Sequence, residues 1–395
     1  YKIADGEVCL MSHSRDDRDG RSRHGPCHHL LVKRPQILDG SATATHNHSA
    51  PDYSYYKKND DVTDWIERIY MPAAANAAKE AVEDLSPVLR LVAGTAEVEN
   101  VTFVRRYFCN DGVFRTNPKK IFAEAHESEA DKELRALRFC REGKKDVVIA
   151  NFQLHAATAL GATPDVFCSD FLHTFRETAE QSGEFSVMYL QGGCGNLNTY
   201  SRVHPDACNK DYDRAGRLIG EGLLKALENG KELKIGEPFV QTNLLSVVVD
   251  HTRDHLAPKA DEAIRYCIEN NLDREAAAEH YHSQGFVTRL EAKAILGKSK
   301  LGKTNEFPLR TLCFGDVGMT FAPFEMFDEN CRQIRMASPF SFTLTMGYTG
   351  AVQGYLPTAY GFSNGGYEAY SCRYVAGTGE SVALELLRQL KEAKK

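Results

Sequence analysis

A chain of 395 residues with 42% apolar and 26% charged residues has an ordinary globular composition and is long enough to bury a large core. Its formal charge of −6, with basic residues spread among acids, leaves no electrostatic footprint for nucleic acid. No run of about 18 apolar residues occurs, so no membrane span is expected. Oligomeric state has no signature in the chain.

Eleven cysteines are scattered without a Cys-x-x-Cys pair, from Cys9 and Cys27 to Cys331 and Cys372. An odd, dispersed set reads as reduced thiols rather than a disulfide framework. A cytoplasmic protein is therefore expected. The chain starts at Tyr1 rather than Met, so a secreted or periplasmic protein whose leader has been removed is the alternative.

In chain order, Ser12 to Arg23 is charged and lacks apolar period, as a loop does. His24-Gly25-Pro26-Cys27-His28-His29 offers metal-ligand types, but Gly and Pro break the spacing that would aim them, and a solvated turn is the simpler reading. Ala44-Thr45-His46-Asn47-His48-Ser49-Ala50-Pro51-Asp52 is different. If the segment is extended, His46 and His48 point to one side, and two converging imidazoles suit Zn²⁺ or a similar cation. Such a pair also occurs as a plain surface or core pair.

Asp61 is a candidate N-cap for a helix whose stripe is Trp65, Ile66, Ile69, Ala73, Ala77 and Ala81, with the lone Trp expected in the core. Leu89 to Val104 reads as strands ending at Arg105-Arg106-Tyr107. Asp146 to Phe152 has a buried-strand pattern and delivers Gln153-Leu154-His155 at its carboxyl end, where α/β folds place ligands. A helix over 168–182 and a strand from Phe185 to Leu190 lead into Gln191-Gly192-Gly193-Cys194-Gly195-Asn196-Leu197-Asn198. Those glycines admit either close approach to a ligand or a tight structural turn, and the Gly-Lys-Ser/Thr ending of a phosphate loop is missing.

Asp211 to Asn229 is an amphipathic helix closed by Gly230, and Phe239 to Asp250 a strand. Residues 257–298 form a helical insertion over one edge. Two strands follow from Leu309 to Phe321, and Glu325 sits at a strand-to-helix turn near the positive helix end, where it would serve equally as a cap. Phe340 to Met346 is a strand. Tyr- and Gly-rich loops then carry Tyr348, Tyr355 and Gly365-Gly366-Tyr367-Glu368, and a helix from Gly379 to Lys395 ends the chain. With no repeat and no long linker, residues 1–395 are expected to form a single domain of α/β (α+β) class, with mixed β-sheets flanked by helices.

Five segments in order resemble the N-terminal catalytic domain of the neutral/alkaline, non-lysosomal ceramidase superfamily. ATHNHSAPD is similar to its Ala-Thr-His-Thr-His-Ser-Gly-Pro, NFQLHAAT to its second histidine strand, APFEMF to Pro-Gly-Glu-x-Phe, and GYLPT to Tyr-Val-Thr-Thr. The spacing from Tyr355 to Tyr367-Glu368 is similar to its Tyr-then-Tyr-Glu-Gly pair. The resemblance implies Zn²⁺ held by His46, His155, Glu325 and Tyr355; two imidazoles and one carboxylate leave an ion with net positive charge and an open position for water, and Tyr355 is a weak fourth ligand that exchanges with substrate. It implies oxyanion donors at Arg105 and Tyr367, with Arg106 as the fallback, and a proton-carrying, supporting or structural role for His48. Asn198 stands where the family has a serine, and an amide cannot act as nucleophile.

Two further departures set the expectations. The chain ends in its helix, so a short member without the family's C-terminal immunoglobulin-like domain is expected, and residues 1–40 lack the family's apolar strand ending in Asp. The function expected from this resemblance is a zinc-dependent amidohydrolase that cleaves a C–N bond of a small N-acyl compound through metal-activated water. The alternatives are a non-catalytic metal-pocket protein binding a sugar or amino-alcohol, and a Zn-dependent esterase, lyase or isomerase.

Overall fold

The computed structural model describes residues 2–3, 6–7, 10–13, 41–49, 60–159 and 168–395. The His24–His29 segment lies outside them.

Two sheets lie face to face, and helices cover the outer side of each. The first sheet has the order β8-β7-β6-β3-β10, built from β3 (Val88–Glu97), β6 (Glu133–Arg141), β7 (Asp146–Phe152), β8 (Phe185–Gln191) and β10 (Lys231–Leu233). The second has the order β11-β12-β13-β15, from β11 (Phe239–Val248), β12 (Thr304–Phe314), β13 (Val317–Phe321) and β15 (Phe342–Met346). Each sheet contains one parallel pair, β7 with β8 and β13 with β15; the other ladders are antiparallel.

Strand periodicity produces these layers. On β6 and β7, Leu137, Phe139 and Ile149 face Leu312, Phe314, Met319 and Leu344 of the other sheet. The alternate residues Leu134, Ala136, Val148, Ala150 and Phe152 pack instead against Phe175, Ile219 and Leu223. Those three belong to α3 (Leu172–Ala179) and α4 (Tyr212–Glu228). A strand buried on both faces must be apolar throughout, which is why β7 reads as a continuous run. The far side of the second sheet is covered by α8 (Asp328–Ala337) and α11 (Thr378–Ala393) through Cys331, Ile334, Val382, Leu386 and Leu390.

Residues 257–298 are helical, as expected, in three segments: α5 (Ala257–Glu269), α6 (Arg274–Ser283) and α7 (Arg289–Lys298). They share an apolar cluster around Ala260, Cys267, Tyr281, Phe286 and Ile295. At its end, buried Lys298 Nζ donates to Asp250 Oδ2 (2.7 Å).

Two expectations change. The helix stripe from Trp65 to Ala81 is not a core stripe. Between α1 (Asp60–Trp65) and α2 (Met71–Glu83) the chain makes a π turn, Ile66–Tyr70. A π turn slips the phase of a 3.6-residue stripe, so Ile66 and Ala78 are buried while Ala73, Ala77 and Ala81 are exposed. Trp65 is half-buried and stacks on Tyr70 at 5.8 Å. The charged N-terminal stretch expected as a loop from Ser12 begins inside a strand: β1 (Leu10–His13) pairs in parallel with β2 (Ser41–Ala44). No helix among the described residues is long and apolar enough to cross a membrane.

Candidate metal centre

Five chain segments leave their strands at one end of the molecule and meet there. His155 follows β7, Cys194 follows β8 and Tyr348 follows β15. His46 follows β2, and Glu325 opens the short strand β14 (Glu325–Met326) after β13. The carboxyl ends of the parallel pairs are thus the place where side chains of both sheets converge, as α/β architectures favour.

His46 reaches this point by a different route from strand alternation. It lies beyond the end of β2 with φ of 55°, a left-handed backbone. Tyr348, with φ of 51°, stacks on its ring at 4.4 Å. Around the turn Ala44 N donates to Tyr348 O (3.0 Å), His48 N to Ala156 O (2.9 Å), and Asn47 Nδ2 to Cys168 O (2.7 Å). The result is that His48 Nε2 lies 3.0 Å from His46 Nε2 and 2.8 Å from His155 Nε2.

His46, His48 and His155 form a group that can hold a metal ion. Glu325 Oε2 is 3.5 Å from His46 Nε2. Zn–N bonds of about 2.0–2.1 Å in a tetrahedron put neighbouring ligand atoms roughly 3.3 Å apart, close to the 3.5 Å between His46 Nε2 and Glu325 Oε2, while His48 Nε2, at 2.8 and 3.0 Å, is within hydrogen-bond reach of both other rings. The donor chemistry fits as well, since three imidazole nitrogens facing one another are relieved by a shared cation or proton. Burial, then the neighbouring His46, Arg105 and His48, hold His155 well below the usual imidazole range, which keeps it in the neutral, ligating form. Its Nδ1 lies 3.3 Å from the carbonyl of Cys194. In the tautomer that donates there, the Nε2 lone pair faces the other two rings.

Glu325 does not cap the helix that follows: α8 starts after Phe327 with no side-chain cap bond. It sits instead on β14, in parallel register with Tyr355 of β16 (Tyr355–Leu356). Tyr355 is buried beside Tyr367, their rings 5.4 Å apart. Burial, then Glu325 and Tyr367, push the Tyr355 phenol well up; burial pushes that of Tyr367 up to about 12. Both are neutral O–H groups at ordinary pH.

Of the two arginines, Arg105 faces the histidines. Its Nη1 is 3.4 Å from His155 Nδ1, its Nη2 donates to Gly195 O (2.7 Å), and its guanidinium lies 5.4 and 5.8 Å from the rings of Tyr355 and Tyr367. Arg106 points the other way, into Glu127 and the carbonyls of Gly361 and Gly365. The expected pair is therefore buried on both counts, and only the first faces the centre.

Asn198 lies on β9 (Leu197–Asn198), paired with β4 (Phe103–Val104) just before Arg105. Its Nδ2 donates to Asn117 Oδ1 (2.7 Å), and Asn117 N donates to Arg105 O (2.8 Å). The glycines before it pack closely against protein. A Cβ on Gly195 would stand 2.5 Å from Glu325 O, and one on Gly193 2.7 Å from Cys331 Sγ.

The structure adds groups that sequence reasoning passed over. Tyr348 O–H and Cys194 Sγ are 3.1 Å apart behind His46, and Asn196 Nδ2 donates to buried Asp328 Oδ1 (2.6 Å), tying the glycine loop to α8. Cys194 and Tyr348 stand just past strand ends, a position that singles them out once the strands are assigned. Glu368 is the residue next to Tyr367.

No family model matches the sequence, and no curated protein matches it. Solved structures share the fold. A neutral ceramidase from Pseudomonas aeruginosa superposes with a TM-score of 0.62 at 17% identity, over 91% of this chain and 62% of that one. A ceramidase complexed with C2 gives 0.63 at 15% identity, over 91% and 63%. The chain thus has the ceramidase fold and spans less than two thirds of the length of those structures.

Proposed function

We propose that this protein is a zinc-dependent hydrolase of a C–N amide bond in a small N-acyl compound. The observation that carries the reading is the meeting of His46, His48, His155 and Glu325 at the carboxyl ends of both sheets, with Arg105, Tyr355 and Tyr367 beside them. The likeness to ceramidase structures supports amide chemistry.

His46, His155 and Glu325, with Tyr355 as a weak fourth donor, would hold the ion. Zinc there supplies Lewis acidity and lowers the pKa of bound water towards about 7. Arg105 and the Tyr367 hydroxyl donate to the carbonyl oxygen as its charge develops. His48 is half-exposed, with Nε2 at 2.8 Å from His155 Nε2; it takes up the proton from water and delivers it to the leaving amine. Asn198, fixed to Asn117, binds rather than attacks. The nine cysteines of the described residues are free thiols, which supports a cytoplasmic setting.

Purified protein is assayed for metal content and for turnover of a panel of short- and long-chain N-acyl amines and amino-alcohols, with esters alongside. One equivalent of zinc with amide turnover abolished by chelator and restored by zinc is the expected result. Bound zinc with no turnover on any substrate refutes the hydrolase. The substitution of an amide for a serine at position 198 then favours a binding protein for a sugar or amino-alcohol, and turnover of esters alone favours esterase chemistry.

A further inference from the structure

Two adjacent arginines leave β4 in opposite directions, and one carboxylate answers both. Glu368 lies on α10 (Gly366–Ser371) and is wholly shielded from solvent. It takes Arg105 Nε on Oε1 (2.7 Å), and on Oε2 both Arg106 Nη1 (2.8 Å) and Thr116 Oγ1 (2.7 Å). Arg106 is fixed independently. Its Nη2 donates to Glu127 Oε1 (2.9 Å), Gly361 O (2.7 Å) and Gly365 O (3.0 Å). Arg106 and Thr116 therefore hold the carboxylate, and the carboxylate holds the Nε edge of Arg105. Nη2 is given to Gly195 O, Nη1 is turned towards His155, and Tyr355 is a further side-chain partner of the guanidinium.

Charge bookkeeping points the same way. Two guanidiniums face two carboxylates, Glu127 and Glu368, so the cluster is neutral. Burial alone raises the Glu368 carboxyl, but Arg105, Arg106 and Thr116 outweigh it and hold the group below its ordinary value. Arg105 thus brings directed N–H donors to the site rather than an unbalanced cation. A long side chain rich in rotamer entropy needs such a hold to be ready before the substrate arrives.

We infer that Glu368 is a positioning residue: it aims the Arg105 guanidinium at the carbonyl oxygen of the substrate, with Arg106 and Thr116 as its anchor. The inference rests on the amide-hydrolase reading for the identity of that carbonyl.

The test is a double-mutant cycle with Glu368→Gln and Arg105→Lys, using zinc content, thermal midpoint and turnover of the best N-acyl substrate. The Nε–H resonances of ¹⁵N-labelled arginine are recorded alongside. Glu368→Gln is expected to keep its zinc and to lower kcat about tenfold or more with KM changed less than about threefold. In the Arg105→Lys background the same change is expected to cost less than about twofold. Glu127→Gln, which weakens one partner of Arg106 and of Asn364 Nδ2 but leaves Arg106 its bonds to Glu368, Gly361 O and Gly365 O, lowers the midpoint comparably but keeps kcat within about twofold. The Arg105 Nε–H signal shifts in Glu368→Gln, while that of Arg106, bonded to Glu127, stays.

Equal losses in both backgrounds mean that Glu368 acts only on stability and overturn the inference, as does an unchanged kcat. If Glu368→Gln does not fold, Glu368→Asp keeps the charge, shortens the reach and enters the same cycle. A wild-type protein inactive on every N-acyl compound sinks the hydrolase, and the arginine spectra then decide alone: an unshifted Arg105 signal in the variant overturns the clamp, and a shifted one supports it.

Discussion

The backbone at His46 is the point on which the centre turns. A non-glycine residue at φ of 55° costs about 1–3 kcal/mol and persists only where its surroundings demand it. Here the demand comes from the Tyr348 ring and from the bonds made by Asn47 and His48. The two histidines of the turn have separate expected roles. His46→Ala is expected to remove bound zinc and turnover together and to leave the circular dichroism spectrum intact. His48→Ala is expected to keep the ion with roughly 10–100-fold weaker affinity, the cost of losing a supporting group, and to lose turnover. Equilibrium dialysis with zinc separates the two; equal metal loss in both makes His48 a ligand and removes it as proton carrier. The residue types were legible in the sequence, because His-x-His and a histidine past a buried strand are local patterns. The geometry was not. It depends on a left-handed turn and on a tyrosine some 300 residues away, and no short window contains both.

At the scale of elements, the strands were the most legible part, because burial on one or two faces imprints a period on the chain. β7, β8 and β15 were readable from that period alone, and so was α4, whose N-cap Asp211 accepts from Arg214 N. The helix after residue 60 was legible as a helix and not as a packing surface, since nothing local announces the π turn that breaks its stripe. The loop from Gly192 to Gly195 was open to two meanings, and its packing shows the structural one. Gly195 N donates to Met326 O (2.9 Å), and its missing Cβ makes room for the carbonyl of Glu325. Gly195→Ala must push the loop off the segment that carries Glu325. Overpacking of this kind costs about 1–3 kcal/mol, and the expected result is a thermal midpoint lower by a few degrees together with weaker zinc binding. An alanine variant with unchanged midpoint and metal affinity shows that the backbone contact is slack. The helical segment 257–298 offers a contrasting case. Lys298→Met leaves Asp250 buried without its cation, and breaking such a pair costs about 3–5 kcal/mol. Its effect belongs in the thermal midpoint alone, with zinc content held.

For the whole molecule, two sheets and two helical layers bury the ends of the parallel strands well enough to keep three imidazoles together and His155 neutral, and this makes stability depend on pH. In the unfolded chain an imidazole titrates near 6.5. In the folded protein burial, His46, Arg105 and His48 hold His155 well below that. Below about pH 6.5 the unfolded state therefore binds a proton that the native state refuses. By linkage the His155 contribution is complete above pH 6.5 and is lost as pH falls towards its native value, at up to about 1.36 kcal/mol per pH unit. Other groups titrate too. Asp170 and Asp328 are raised by burial and act in the opposite direction at lower pH, while Glu385, bonded to Arg388, sits at about 2. Comparison with His155→Gln under chelator cancels the terms common to both proteins. The midpoint of the wild type relative to the variant is expected to fall steadily from pH 7 to pH 5 in apo protein, and zinc is expected to flatten the fall, because the ion competes with the proton for the same nitrogens. A difference curve that is level across that interval means that His155 accepts its proton in place, and that the four layers do not hold the imidazole cluster as tightly as the packing around it implies.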